Sequence, residues 1–194
     1  MTIKTQMRCL PVAAALALLV PPASAATIAE RLAICLMCHG EQGQSGNPDV
    51  PSLGAQPAFY LTVQLIMFRE KIRPIEPMTE MLRGTSDADL RDMADFIAKL
   101  PVPQPLTDPM DPAAAERARL LIAQHRCNFC HNGDFSGHEG APRLAGQRED
   151  YLLKALRGYK DNTRRAYEPQ MADVVTLLSD ADFADLAAFL ARAK

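Results

Sequence analysis

Apolar residues recur with a helical period at two places far apart in the chain. Leu90, Met93, Ala94 and Ile97 fall at i, i+3, i+4 and i+7, and Phe183, Leu186, Ala187 and Leu190 repeat that spacing. Each set predicts an amphipathic helix with one buried stripe. Both are preceded by a Ser-x-x-Asp start, Ser86 with Asp89 and Ser179 with Asp182, in which the serine caps the first turn and the acid faces back. Thr27 with Glu30 is a third capping box, and Asp111-Pro112 combines an N-cap with a proline at the first helical position. These open helices expected to run on to Cys35 and Cys127, the second carrying His125. Middle helices are expected from near Pro57 to Glu70 and from near Arg148 to Tyr159. No alternating strand pattern of useful length occurs, so the fold class is all-α.

The pattern is a repeat. Cys35, Cys38 and His39 return 92 positions later as Cys127, Cys130 and His131. Pro51, Leu53, Gln56, Tyr60, Leu65 and Arg73 return 91 later as Pro142, Leu144, Gln147, Tyr151, Leu156 and Arg164. Met78 and Ser86-Asp87-Ala88-Asp89 return 93 later as Met171 and Ser179-Asp180-Ala181-Asp182. Shifts of one or two residues in constant order are what loop insertions leave in a tandem duplication. The prolines from Pro101 to Pro105 and then Pro109 and Pro112 cannot continue a helix. They divide the chain into a first domain over residues 26–100, a linker over 101–110 and a second domain over 111–194. Residues 1–25 read as a secretory signal: Lys4 and Arg8, an apolar core from Val12 to Val20, and an Ala23-Ser24-Ala25 cleavage site. The 194 residues, with a formal net charge of −2 that becomes −4 without Lys4 and Arg8, suit two small exported domains. No basic stripe with interleaved aromatics points to nucleic acid, and past the signal no apolar run is long enough to span a membrane. The expected location is the periplasm.

Export gives the cysteines their meaning. Once Cys9 leaves with the signal, every remaining cysteine lies in a Cys-x-x-Cys-His, Cys35-Leu36-Met37-Cys38-His39 or Cys127-Asn128-Phe129-Cys130-His131. Two thiols at this spacing reach two vinyl groups on one porphyrin edge, and the adjacent imidazole reaches the iron. Disulfides would ignore both histidines. A zinc ribbon would need the motifs together rather than in separate halves, and a thioredoxin-like pair wants a preceding strand. The expectation is two covalently bound haem c groups, one per half.

The opposite face of each iron decides the chemistry, since an open position invites a substrate and a filled one leaves an electron shuttle. The first half has no histidine other than His39, so its candidates are Met67, Met78, Met81 and Met93. Met67 and Met93 sit in helices facing the core, and Met81 has Val174 as its repeat partner. Met78 matches Met171, each just after Glu-Pro and eight residues before the capping serine. His39 with Met78 and His131 with Met171 are therefore the expected iron ligands. His125 lies too near Cys127 to cross the ring, and His138 has no histidine at its repeat position. Pro51 and Pro142 are placed to offer carbonyls to the histidines, and Tyr60, Tyr151, Arg73 and Arg164 are candidates for the haem propionates. Thioether ligation and burial both favour reduced iron and positive potentials.

The run from Pro142 to Gln147, then a tyrosine, a leucine-rich helix, a methionine and Leu178-Ser179-Asp180-Ala181-Asp182, resembles the dihaem cytochrome c4 family. That resemblance implies two class I cytochrome c domains related by a pseudo-twofold axis, periplasmic, with His/Met ligation at both haems and the haem edges facing across the interface. The first half departs from it: Gly54-Ala55 exchanges the order seen in Ala145-Gly146, Gly84-Thr85-Ser86 differs, and the Arg73–Met78 loop is shorter and carries Pro74 and Pro77. The cytochrome subunit of flavocytochrome c sulfide dehydrogenase is similar in layout. Function is thus expected to be single-electron transfer between redox proteins. The donor would be a dehydrogenase or quinol-oxidising complex and the acceptor an oxidase or reductase, with docking to a membrane complex allowed. The alternative is a haem-bearing subunit of a dehydrogenase. An enzyme acting at an open iron, such as a peroxidase, should have lost one of the paired methionines.

Overall fold

A computed structural model describes residues 27–164 and 169–194. The signal sequence, its cleavage site and Cys9 lie outside the described residues. Those described form nine helices and no strand, as the periodicity predicts. Four belong to the first half: α1 (Ile28–His39), α2 (Ala58–Arg69), α3 (Met78–Met81) and α4 (Asp87–Ala98). Five belong to the second: α5 (Pro112–Gln124), α6 (Cys127–His131), α7 (Glu149–Lys160), α8 (Gln170–Thr176) and α9 (Asp180–Arg192).

The starts are where the capping residues put them. Thr27 and Glu30 form a complete capping box on α1, Ser179 and Asp182 another on α9, and Ser86 accepts from the Asp89 N–H on α4. Asp111 caps α5 through two backbone N–H groups, with Pro112 behind it. In the first half α2 packs on α4 and α3, and α1 on α4; in the second, α7 packs on α9 and α8, and α5 on α9. The periodic stripes close these contacts. Leu90, Met93, Ala94 and Ile97 join Leu32, Leu61, Leu65 and Phe68 in one core. Phe183, Leu186, Ala187 and Leu190 join Ile122, Leu152 and Leu156 in another.

One expected helix is broken. The second motif does not continue α5: His125 is the C-cap of α5, and Arg126 turns left-handed at φ +52° before α6 begins at Cys127. His125 is therefore not on the motif helix. No glycine or proline marks the break, so local sequence does not announce it.

Residues 101–111 contain no helix and run along both halves. Gln44 exchanges two hydrogen bonds with the backbone of Gln104, and the Leu106 N–H donates to Ala191 O. The two equivalent corners, Gly54-Ala55 and Ala145-Gly146, press against this segment differently. A Cβ at residue 54 would stand 2.0 Å from Pro101 O, so glycine is required there by close approach. The left-handed position falls one residue later, on Ala55 at φ +52°, whereas the second half has Gly146 there at φ +69°. In the second corner Gly146 meets both demands, since a Cβ there would stand 2.6 Å from Pro103 O, whereas the first corner divides them between Gly54 and a strained Ala55. Left-handed alanine costs about 1–2 kcal/mol, of which glycine would return part as chain entropy. Ala55→Gly should therefore raise unfolding stability by about 0.5–1 kcal/mol in urea titration, while Gly54→Ala should lower it by about 1–3 kcal/mol.

Candidate haem-binding sites

Each motif ends a helix, so that its two cysteines and its histidine sit on the last turns. Cys35, Cys38 and His39 close α1, and Cys127, Cys130 and His131 make up most of α6. None of the four motif cysteines is in a disulfide. Cys35 and Cys127 are half-buried and burial pushes their thiols up, while Cys38 and Cys130 are exposed. The intervening Met37 and Phe129 point to solvent.

His39 and His131 are 7% and 6% exposed. Nδ1 of His39 lies 2.8 Å from Pro51 O, and Nδ1 of His131 lies 2.7 Å from Pro142 O. A carbonyl only accepts, so Nδ1 carries the proton and Nε2 keeps its lone pair. Burial lowers both imidazole pKa values, with the carbonyl opposing it in part, which favours the neutral ring that a metal needs. The proline carbonyls expected from the spacing are therefore the ones used. The loops that deliver them are built alike. Leu53 and Gly54 both donate to Gly43 O, and Leu144 and Ala145 both donate to Phe135 O.

Met78 opens α3 and packs against the first core; Met171 lies in α8 and packs, together with Cys127, against the second. Met93 is part of the core and Met67 is buried beside Gln64, but Met81, for which the apolar repeat partner Val174 suggests packing, is 39% exposed. His138 is exposed in a hairpin with Ala141 and lines an open cleft with Phe129 and Cys130.

A cluster of arginines and tyrosines spans the two halves. Arg164 donates to Tyr151 Oη at 2.9 Å and, across the halves, to Tyr60 Oη at 3.2 Å. It also lies over the Tyr159 ring at 5.0 Å. Arg73 donates to Gln64 Oε1 at 2.6 Å and stacks on Phe68. Burial raises the Tyr151 phenol, but the Arg164 and Arg73 charges outweigh it and hold it at about 8; for Tyr60 burial wins and the phenol is pushed up. Among the described residues neither arginine has a carboxylate partner. The Nε of each is buried with no hydrogen-bond partner. Gln64 and Tyr159 escape sequence reasoning because neither is repeated in the other half.

The family model for cytochrome c matches residues 115–194, most of the second half. Cytochrome c4 of Thiocapsa roseopersicina is 31% identical, with 81% of this chain and 85% of the relative covered. The thiosulfate dehydrogenase electron acceptor of Thiomonas intermedia is 33% identical over 88% of this chain and 83% of its own. The crystal structure of reduced cytochrome c4 from Pseudomonas stutzeri superposes with a TM-score of 0.76 at 27% identity, covering 84% of this chain and 95% of that one. The chain belongs to the cytochrome c4 family. It is an electron-transfer cytochrome rather than a catalyst, it carries covalently bound haem c, and it exchanges electrons with redox partners. Among the described residues no helix is long and apolar enough to cross a membrane.

The residues fit the group on grounds independent of likeness. Paired cysteines lie beside a neutral, oriented imidazole, and among the described residues the buried Nε atoms of Arg73 and Arg164 have no hydrogen-bond partner and neither arginine has a carboxylate. A haem supplies both the vinyl groups and the propionates that these lack. Within the cluster, the shorter bond to the arginine should matter more. Tyr151→Phe is expected to cost about 2 kcal/mol in urea unfolding and Tyr60→Phe about 1 kcal/mol; the reverse order would contradict this account.

Proposed function

We propose that the chain carries two haem c groups, one in each of two domains over residues 26–100 and 111–194, and works in the periplasm as a single-electron carrier. Cys35 and Cys38 hold the first group and Cys127 and Cys130 the second. His39 with Met78, and His131 with Met171, are the residues that would ligate the two irons. The observation that carries this reading is the duplicated histidine-to-proline-carbonyl bond, which prepares two equivalent neutral imidazoles in two equivalent loops. When bound, the haem supplies an iron that changes by one electron without a change of ligands.

The protein's own part is to hold that iron in one geometry. The carbonyls of Pro51 and Pro142 orient the imidazoles. The two cores support the methionines, and the half-buried packing around Met78 and Met171 limits water. Arg73 and Arg164 supply positive charge for the propionates, which stabilises the reduced state. The donor is a periplasmic dehydrogenase or a quinol-oxidising complex, and the acceptor an oxidase or reductase. The likeness to a thiosulfate dehydrogenase electron acceptor favours a second reading, a haem-bearing subunit paired with a dehydrogenase. Native purification separates the two: a cytochrome recovered alone supports the free carrier, and a tight stoichiometric dehydrogenase complex supports the subunit.

Ligation has its own test. The oxidised protein should show the weak near-infrared sulfur-to-iron band for both haems. Met78→Ala and Met171→Ala should each remove about half of it, and the double variant all of it. A full band in Met78→Ala would sink that assignment.

A further inference from the structure

Two buried glutamines retained in both halves have no place in the function so far. Gln147, in the second half, grips the backbone of Ser52 in the first. The Ser52 N–H donates to Gln147 Oε1 at 2.8 Å, and Gln147 Nε2 donates to Ser52 O at 2.8 Å. Gln56, in the first half, does the same to Arg143. The Arg143 N–H donates to Gln56 Oε1 at 2.9 Å, and Gln56 Nε2 donates to Arg143 O at 2.9 Å. Both glutamines are 4% exposed, and the paired donor and acceptor on each backbone fix which way each amide points.

The residues gripped are the ones after Pro51 and Pro142. The Pro51 carbonyl and the Ser52 N–H belong to one peptide unit, as do the Pro142 carbonyl and the Arg143 N–H. Each of these peptides accepts from a histidine Nδ1 at its oxygen and donates to a glutamine of the other half at its nitrogen. A peptide that donates at one end is polarised into a better acceptor at the other. A better acceptor draws the Nδ1 proton further and makes the imidazole a stronger donor to iron.

We propose that Gln147 and Gln56 are positioning residues that act across the interface, each tuning the histidine of the opposite half through a single peptide. This rests on His39 and His131 being the iron ligands. Losing Gln147 weakens the carbonyl facing His39, makes that imidazole less electron-rich and destabilises the oxidised first haem. Losing Gln56 does the same to the second.

The test is a redox titration of the haem-loaded protein with the two haems resolved by NMR. Gln147→Met should raise the midpoint potential of the first haem and leave the second near wild type; Gln56→Met should do the converse. The Nδ1 proton resonance of the histidine in the opposite half should move with the potential. If each variant shifts only the haem of its own half, or both equally, the proposal is overturned. Should the methionine variants fail to fold, Gln147→Glu keeps an oxygen facing the Ser52 and Arg148 N–H groups and, ionised, sets its second oxygen against Ser52 O in place of the amide donor. It should lower the first potential, and a rise would overturn the coupling. Failure of the ligand reading shows up separately, as an oxidised wild type in which the His39 and His131 ring protons lack the large paramagnetic shift of iron ligands.

Discussion

The bond from a buried histidine Nδ1 to a proline carbonyl is the contact on which both sites turn. It settles the tautomer, and with it which nitrogen is left for a metal. It also demands a carbonyl held still a dozen residues away from the motif helix. That requirement explains the loop architecture. The Gly43 and Phe135 carbonyls each collect two N–H groups from the stretch after the proline. The Ala55 and Gly146 N–H groups tie the far side of each loop to Leu100 and Leu190 at the ends of the C-terminal helices. Proline is suited to the position because its fixed φ narrows the directions its own carbonyl can take. The helices and their cores serve chiefly to bring motif, loop and C-terminal helix together in a fixed frame.

The two halves share this frame and differ around it. Arg164 donates to tyrosines of both halves, while Arg73 donates to Gln64 of its own and acts on Tyr151 of the other through its charge. Arg148 of the second half pairs with Asp150 and reaches Ser45 O of the first; its repeat counterpart is Pro57, which offers no donor. The first motif ends a continuous helix, and the second sits on a separate short one after a left-handed residue. Equal motifs in unequal surroundings give unequal electrostatics, because buried charge and hydrogen bonding act over a few ångströms in a poorly screened interior.

Much of this was legible in the residues, and the part that was not has a physical reason. Capping residues act within one turn, so Thr27, Ser86, Asp111 and Ser179 mark helix starts without help from the rest of the chain. The repeat ranks the methionines because duplication preserves position; Met93 lies in the core as its stripe predicts, whereas Met81 is exposed despite its apolar repeat partner. The turn at Arg126 is different. Arginine has no preference for left-handed backbone, so tertiary packing imposes the break. The glutamines show a further limit. Periodicity marked Gln56 and Gln147 as equivalent, but a repeat says which residues correspond and not whether they bond within a half or across. Only the interface reveals that each has crossed.

That crossing changes what the duplication means. Two copies joined by a linker need share nothing beyond their connection. Here each copy completes the other's loop, since the peptide that orients one imidazole is itself held from the opposite side. Any coupling through such a contact is reciprocal in free energy. If electron gain in one half strengthens the grip of its glutamine on the other, the second half's electron must alter the same contact by the same amount. The coupling runs through two short, buried, nearly symmetric paths of hydrogen bonds, so it is less screened by salt than exposed charges would be. If each half holds a haem, a duplicated cytochrome coupled in this way would titrate as a pair, with potentials set by the interface as well as by the ligands.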